Sequence, residues 1–472
     1  MLQASGLVVL PIYANYLSPA EFGVLDILDR IGMILLVGLM ANGFRMATLT
    51  FFRQAETEAD RERVSITVST ALFGTVFIGL VVAACSSSYL SQWLGMDDEW
   101  LLLFGIATGL AEAILIIPMA LMQARLQSSE FVSLSICMFL TRLASLLFFV
   151  VFLGCGLWGI LIARLINSVI FGAWLYGKEF QRATVWPDMK TFKEVFWFSL
   201  PFLPGGLLAF FIGFGDRFFL IKHSGEYELG LYAMCCRLVG FIPALSVGPI
   251  YKVWSAMMYD EAKKKNADQI FGTVFSRTMF CYLFIAFGLS LFAGDLLYVL
   301  GAEEYLPALV VLVPLIICGF LGKSADLMDA AFYIERKTKY KPWILFAVGV
   351  AALISYWTLI PVYGIYGAAW GTAISKLVHL VLTFAMTQKI FPVKYQWQRM
   401  GTLVATATLL YGISQTYSDH AFRFVFDSLL VLVLMAISWA MATDDERQMV
   451  VAAVRKQFRR FNKLQKALGM ER

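Results

Sequence analysis

Apolar residues in this chain gather into runs of about twenty, broken by short polar stretches. A hydrocarbon core about 30 Å thick takes about 20 helical residues to cross, so each run predicts a membrane-spanning helix. About fourteen can be marked. Six cover 2–16, 24–52, 64–86, 100–122, 131–153 and 156–176; six more cover 195–221, 229–253, 272–293, 306–333, 342–360 and 364–386; a last pair covers 399–415 and 422–441.

The two sets of six are related. Glu21, Gly23 and Arg30 recur as Glu228, Gly230 and Arg237, at an offset of 207 residues. Gly156-Leu157-Trp158-Gly159, followed by Arg164, recurs as Gly364-Ile365-Tyr366-Gly367, followed by Lys376, at an offset of 208. Two separate matches at nearly one spacing indicate a duplicated half. The expected architecture is therefore an all-α polytopic membrane protein of about fourteen transmembrane helices, in two pseudo-symmetric six-helix lobes plus a C-terminal helix pair. The corresponding division is 1–185 and 186–390 for the lobes, 391–442 for the extra pair and 443–472 for a tail. In that tail Val450, Val454, Phe458, Phe461, Leu464 and Leu468 recur at helical spacing among basic residues, which reads as an amphipathic helix on an anionic membrane surface or as a solvated or protein-docking tail.

Repeat arithmetic also bears on the first span. The second-lobe counterpart of Met1 is Leu208, already inside the seventh span, so the first helix is expected to be short, with translation starting upstream or the beginning of the gene lost.

Loop charge orients the chain. Alternate connections carry the cations, among them Arg53, Arg61, Arg63, Lys178, Lys263–Lys265 and Arg336–Lys341, whereas 87–99, 293–305 and 361–363 contain no lysine or arginine. The positive-inside rule places the basic side, and with it the carboxyl terminus, in the cytoplasm. The stretch Leu17–Gly23 then faces outward.

Composition agrees: 60% of residues are hydrophobic and 15% charged, with a mean hydropathy of +0.73, a balance that excludes a soluble domain of this size. The net charge of +5 resides in short loops and is no signal of nucleic-acid binding. Seven cysteines without metal-ligand or framework spacing read as small core residues, and neither metal nor cofactor is implied. We find no phosphate-cradling glycine loop and no nucleophile–base motif, so the sequence offers no enzyme site.

The informative residues are charges inside spans, which are costly there and face a bundle interior or a wet cavity. Arg30, Arg142, Arg164, Arg237 and Lys376 are the deep cations; Asp26, Glu112, Asp326 and Asp329 are candidate ion-coupling acids, alongside Asp29. Arg217 reads as lying near an outer end. Asp26 and Arg30, spaced i, i+4, suit a local ion pair. Arg237 has Ala233 and Cys236 at the matching positions and so no local carboxylate, which suits an anionic ligand at the lobe interface. Lys323, Asp326 and Asp329 suit either an ion-coupling site or a structural cluster at a helix end. Pro201–Gly206 predicts a broken helix opening the second lobe.

The hinge LSPAEFG after a first span, the run FLPGG…GDRFFL…GEYELGLYA over 202–233, and the GLWG and GIYG turns resemble polysaccharide-type lipid-linked oligosaccharide flippases of the multidrug/oligosaccharidyl-lipid/polysaccharide exporter superfamily. The resemblance implies an alternating-access transporter of the bacterial inner membrane that carries an undecaprenyl-diphosphate-linked oligosaccharide outward for surface polysaccharide biosynthesis. It implies Arg30, Arg142, Arg164, Arg237 and Lys376 as a cationic cavity, and membrane lipids, a polysaccharide polymerase or a chain-length regulator as partners. The alternatives are an ion-coupled drug or cation antiporter of the same superfamily, or a membrane-embedded polysaccharide polymerase.

Overall fold

The computed structural model describes residues 2–38, 40–96, 98–181, 185–416 and 420–440, and every regular element among them is helical. The basic tail lies outside the described residues. The first span is Leu2–Tyr16 and the second Pro19–Gly38, continued by Ala41–Gln54. The third is Glu58–Leu94, the fourth Glu99–Ile114 with Ile116–Ala124, the fifth Ser128–Leu146 with a π-helical end Leu147–Phe152, and the sixth Gly156–Gln181. Met189–Ser199 leads into the long helix Phe202–Leu245, which carries most of spans seven and eight and is followed by Val247–Glu261. Ala267–Val299 is the ninth span; Glu303–Val311, Leu312–Met328 and Ala330–Ile334 make the tenth; Lys341–Ile390 holds the eleventh and twelfth; Trp397–Thr416 and His420–Ala440 form the last pair.

Nine helical stretches among the described residues are long and apolar enough to cross a membrane. Two of them fold back on themselves. Phe202–Leu245 would be about 66 Å long if straight, twice a bilayer core, but it breaks at Gly225, whose φ of 84° is open to glycine at no steric cost. Tyr232 there donates to Asp216 across the turn at 2.6 Å. Lys341–Ile390 breaks in the same way at Gly364, with φ 52°, and Tyr356 meets Thr372 across that turn at 3.2 Å. Each long helix is thus a pair of antiparallel spans. Of the predicted break at Pro201–Gly206 only the first residue takes part: the helix is interrupted at Leu200 and Pro201 and is continuous from Phe202 through Gly206.

The polar stretch that opens the second span is a capping box. Glu21 accepts from the Ser18 backbone N–H at 2.9 Å, and Ser18 Oγ accepts from the Glu21 N–H at 3.3 Å. The reciprocal bonds satisfy two amides that the helix start leaves open.

The repeat is also a packing symmetry. Each lobe brings its hinge glutamate to its own glycine turn: a Cβ placed on Gly156 would lie 3.2 Å from Glu21 Oε1, and one on Gly364 would lie 2.7 Å from Glu228 Oε2. Between the lobes the second and eighth spans cross at Gly23 and Gly230. A Cβ on Gly23 would strike the Glu226 carbonyl and the Gly230 nitrogen; one on Gly230 would strike the Pro19 carbonyl and the Gly23 nitrogen. Pro19 and Glu226 are themselves 207 residues apart, so the contact is reciprocal about a local two-fold.

The chain divides into two compact units, Met1–Tyr259 with Gly294–Pro392, and Asp260–Ala293 with Val393–Arg472. The point near residue 185 where the lobes join lies inside the first unit. In the second, Phe287 and Leu291 pack with Leu410, Leu430 and Leu434 of the last helix pair.

Candidate functional site

Below the Gly23–Gly230 crossing, toward the middle of the bundle, the deep charges of the two lobes meet. Arg30 lies seven residues past Gly23, about 10 Å farther along the helix. Its Nη2 donates to Asp26 at 2.7 Å, as the i, i+4 spacing predicts. The guanidinium also stacks at 4.2 Å over Phe214 of the second lobe, a cation–π contact.

Asp26 is 1% exposed and holds a second cation, Arg217, at 2.9 Å. Arg217 in turn grips Asp216 at 2.8 Å, and Asp216 accepts from Tyr232 at 2.6 Å and from Thr372 at 3.4 Å. A continuous hydrogen-bonded chain therefore runs from Arg30 in one lobe to Thr372 and Tyr356 in the other. Arg217 lies eight residues before the Gly225 turn. It is 7% exposed and serves as the ionic bolt between lobes, because its partner Asp26 lies 191 positions away. The Asp216-Arg217 dipeptide inside an apolar run was the signal for this pair.

A second network shares the interface. Arg164, 11% exposed, forms a salt bridge with Asp29 and donates from two nitrogens to both oxygens of Glu112, at 2.9 and 2.7 Å. The second and fourth spans approach closely here: a Cβ on Gly109 would lie 3.1 Å from Gly32 Cα, an instance of small residues admitting helix contact.

Two further arginines are held loosely. Arg142 stands 3.6 Å from Glu112 with 40% of its side chain exposed. Arg237 stands 3.8 Å from Asp29 with 27% exposed, and packs over Phe22 at 4.5 Å and Tyr13 at 5.3 Å. Arg237, with Ala233 and Cys236 where a local carboxylate would stand, thus takes one from the other lobe. Among the described residues, five guanidinium groups here face four carboxylates.

Two cavities adjoin the networks. One, of about 210 Å³, is lined by Asp29, Arg30, Glu112 and Arg164 with Leu28, Met33 and Leu36. The other, of about 310 Å³, is lined by Arg142 and Arg237 with Tyr13, Asp29, Ser135 and Asn167 and an apolar wall including Met119, Met138 and Leu146. That second volume is at the lower end of ligand-binding cavities. Asp29 lines both.

The structure brings four of the five predicted cations to this interface and leaves the fifth apart. Lys376 is half-buried against Gly322 of the tenth span, and no hydrogen bond or ion pair to it occurs among the described residues. Asp26 and Glu112 are bound by arginines. Asp326 pairs with Lys323 at 2.7 Å and Asp329 with Lys341 at 2.7 Å; neither lines either cavity.

The helical fold around this ionised interface is similar to the folds of several solved membrane proteins. The lipid II flippase MurJ, in an inward closed conformation, matches with a TM-score of 0.72 over 93% of this chain and 97% of that one, at 12% identity. An inward-facing multidrug resistance MATE family transporter of the MOP superfamily matches at 0.59 over 82% of this chain and 94% of that one, at 15% identity. The MATE multidrug transporter DinF-BH in complex with R6G matches at 0.52 over 83% and 91%, at 15% identity. At these identities the likeness is one of fold. Sequence assigns the family: the model of polysaccharide biosynthesis proteins matches residues 12–310, and the chain belongs to that family. No curated protein matches it.

Proposed function

We propose that this protein is a flippase that carries a polyprenyl-diphosphate-linked oligosaccharide from the cytoplasmic to the outer leaflet of the bacterial inner membrane by alternating access, for surface polysaccharide biosynthesis. The observation that carries this reading is the state of Arg142 and Arg237. Both line one cavity between the lobes, and both pair with carboxylates at 3.6–3.8 Å while a quarter or more exposed. Such pairs are worth about 0–1 kcal/mol. A diphosphate offers each guanidinium shorter, charge-assisted and bidentate bonds, so ligand binding replaces weak contacts with strong ones. Arg164 and Arg217, tightly held and nearly buried, keep the lobes' framework. The cation excess of one draws an anion to the site. Membership of a polysaccharide biosynthesis family supports the substrate class, and the fold shared with a lipid II flippase supports the mode of action.

The division into lobes 1–185 and 186–390, an added pair 391–442 and a cytoplasmic tail 443–472 belongs to the same proposal, as do a cytoplasmic carboxyl terminus and partnership with a polymerase or chain-length regulator. The MATE likeness keeps a drug or cation antiporter as the second reading. Such a carrier needs a carboxylate available to a cation, whereas Asp26, Asp29, Glu112 and Asp216 are each bound by arginine. For Arg237→Ala and Arg142→Ala we expect loss of surface glycan at normal membrane levels of the protein, with partial recovery by Lys at either position. Undiminished glycan export by both Ala variants would reject the proposal.

A further inference from the structure

A third cavity lies on the opposite side of the Gly23–Gly230 crossing from the arginines. It measures about 630 Å³, within the range of ligand pockets. One wall is the end of the third span, with Gln92 and Trp93; the other is the turn between spans seven and eight, with Lys222, His223, Glu226 and Tyr227. Its floor belongs to the crossing itself. Glu226 presents to Gly23 the carbonyl that excludes a Cβ there, and Ala20 follows Pro19, whose carbonyl does the same at Gly230.

We infer that this vestibule is a sugar-binding site, which holds the glycan portion of the substrate on the outer side of the seal, separately from its diphosphate. The inference rests on the flippase reading for its substrate. The chemistry differs from that of the inner cavity. Among the described residues no arginine lines it. It offers instead two large aromatic side chains from opposite lobes, Trp93 at 39% and Tyr227 at 50% exposure, with an amide, an amine, an imidazole and a carboxylate around them. A sugar ring has an apolar C–H face and a rim of hydroxyls, and an aromatic plane edged by polar donors and acceptors complements both.

Trp93 is not merely an interfacial anchor, since such a residue meets the headgroup layer, whereas Trp93 faces Lys222 of the other lobe, with the ammonium 5.4 Å from its ring centroid. That contact spans the cleft. A sugar ring stacking on that face of Trp93 takes the place of the Lys222 ammonium.

The test uses the purified full-length protein in nanodiscs and, as probe, the host's surface-glycan repeat unit freed of lipid and diphosphate. Saturation-transfer NMR and calorimetry should detect binding to the wild type that inorganic pyrophosphate leaves in place. Trp93→Ala and Tyr227→Ala should each weaken it about tenfold, the effect of removing one stacked ring of about 1–1.5 kcal/mol. Trp93→Phe, which keeps an aromatic face, should retain most of the affinity and serves as the folding control. Absence of binding to the wild type, displacement by pyrophosphate, or equal binding by Trp93→Ala would overturn the inference. The flippase reading is scored separately, by glycan export in Arg237→Ala. Lost export without vestibule binding removes only the vestibule; Trp93-dependent binding with normal Arg237→Ala export removes only the diphosphate site.

Discussion

Gly23 and Gly230, residues 207 positions apart, pack backbone against backbone so closely that neither has room for a methyl group. The contact is reciprocal, each glycine facing the chain just before its counterpart, and it separates the vestibule lined by Trp93 from the cavity lined by Arg142 and Arg237. A carrier that alternates its access must part these helices on that side. Because a Cβ would meet main-chain atoms and not a flexible side chain, Gly23→Ala and Gly230→Ala should each force the second and eighth spans apart, at a cost of about 1–3 kcal/mol. Labelling of Ser135→Cys, in the inner cavity, by an impermeant maleimide added outside should rise several-fold in both variants. Unchanged labelling would show that the seal lies elsewhere.

The arginines should separate into two groups when stability is measured. Removing Arg217 leaves the buried Asp216 without its cation and the buried Asp26 with Arg30 alone, and breaking a buried pair costs about 3–5 kcal/mol. Arg217→Ala should therefore lose monodisperse protein on heating at a clearly lower temperature than the wild type. Arg142→Ala gives up one exposed 3.6 Å pair and should shift stability by less than about 1 kcal/mol, yet impair export. Equal destabilisation by both would contradict the division between framework and ligand-binding arginines.

A pH dependence follows from Asp188, which precedes the helix Met189–Ser199 outside the spans. Its carboxylate accepts from the Thr191 N–H and hydroxyl, at 3.0 Å each, and these bonds hold its carboxyl below the ordinary aspartate value. A depressed folded pKa means that the bonds stabilise the fold above the unfolded value and that this contribution disappears as pH falls through the folded one. Asp188→Asn keeps a capping oxygen without the charge. The gap in melting temperature between wild type and Asp188→Asn should be widest near neutral pH and close on acidification. A gap independent of pH would exclude a role for the ionised carboxylate.

Orientation is open to direct measurement. With the cation-rich connections inside, a cysteine at Glu303 should label from outside intact cells, and one at Lys264 only after permeabilisation. The opposite pattern would reverse the direction of transport proposed above.

Much of this molecule is written in local sequence. The run lengths place the spans because a bilayer of given thickness needs a given length of helix. The Ser18–Glu21 capping box, the broken helix near Pro201 and the Asp26–Arg30 pair are likewise visible, since each is made within four residues or so along the chain. The repeat offset marked Glu21, Gly23 and Gly156 with their partners Glu228, Gly230 and Gly364 before any contact was known. Their meaning was not visible. Sequence offered them only as marks of duplication, whereas the structure makes the shared glutamates and glycines the clasps of each lobe and the crossing between them.

Tertiary structure alone decided how the deep charges pair. Whether an arginine in a span is bolt or ligand depends on which carboxylate reaches it from another helix, and that is set by helix rotation and crossing, which hydropathy does not encode. Arg237 looked unpaired because its partner, Asp29, belongs to the other lobe. Arg217 gave no sign of its interlobe role because Asp26 reaches it from 191 residues away. Lys376, the repeat counterpart one turn beyond Arg164, fell outside the cluster altogether. There the duplicated sequence kept a cation one turn farther along the helix, and the structure sets it against Gly322 of the tenth span.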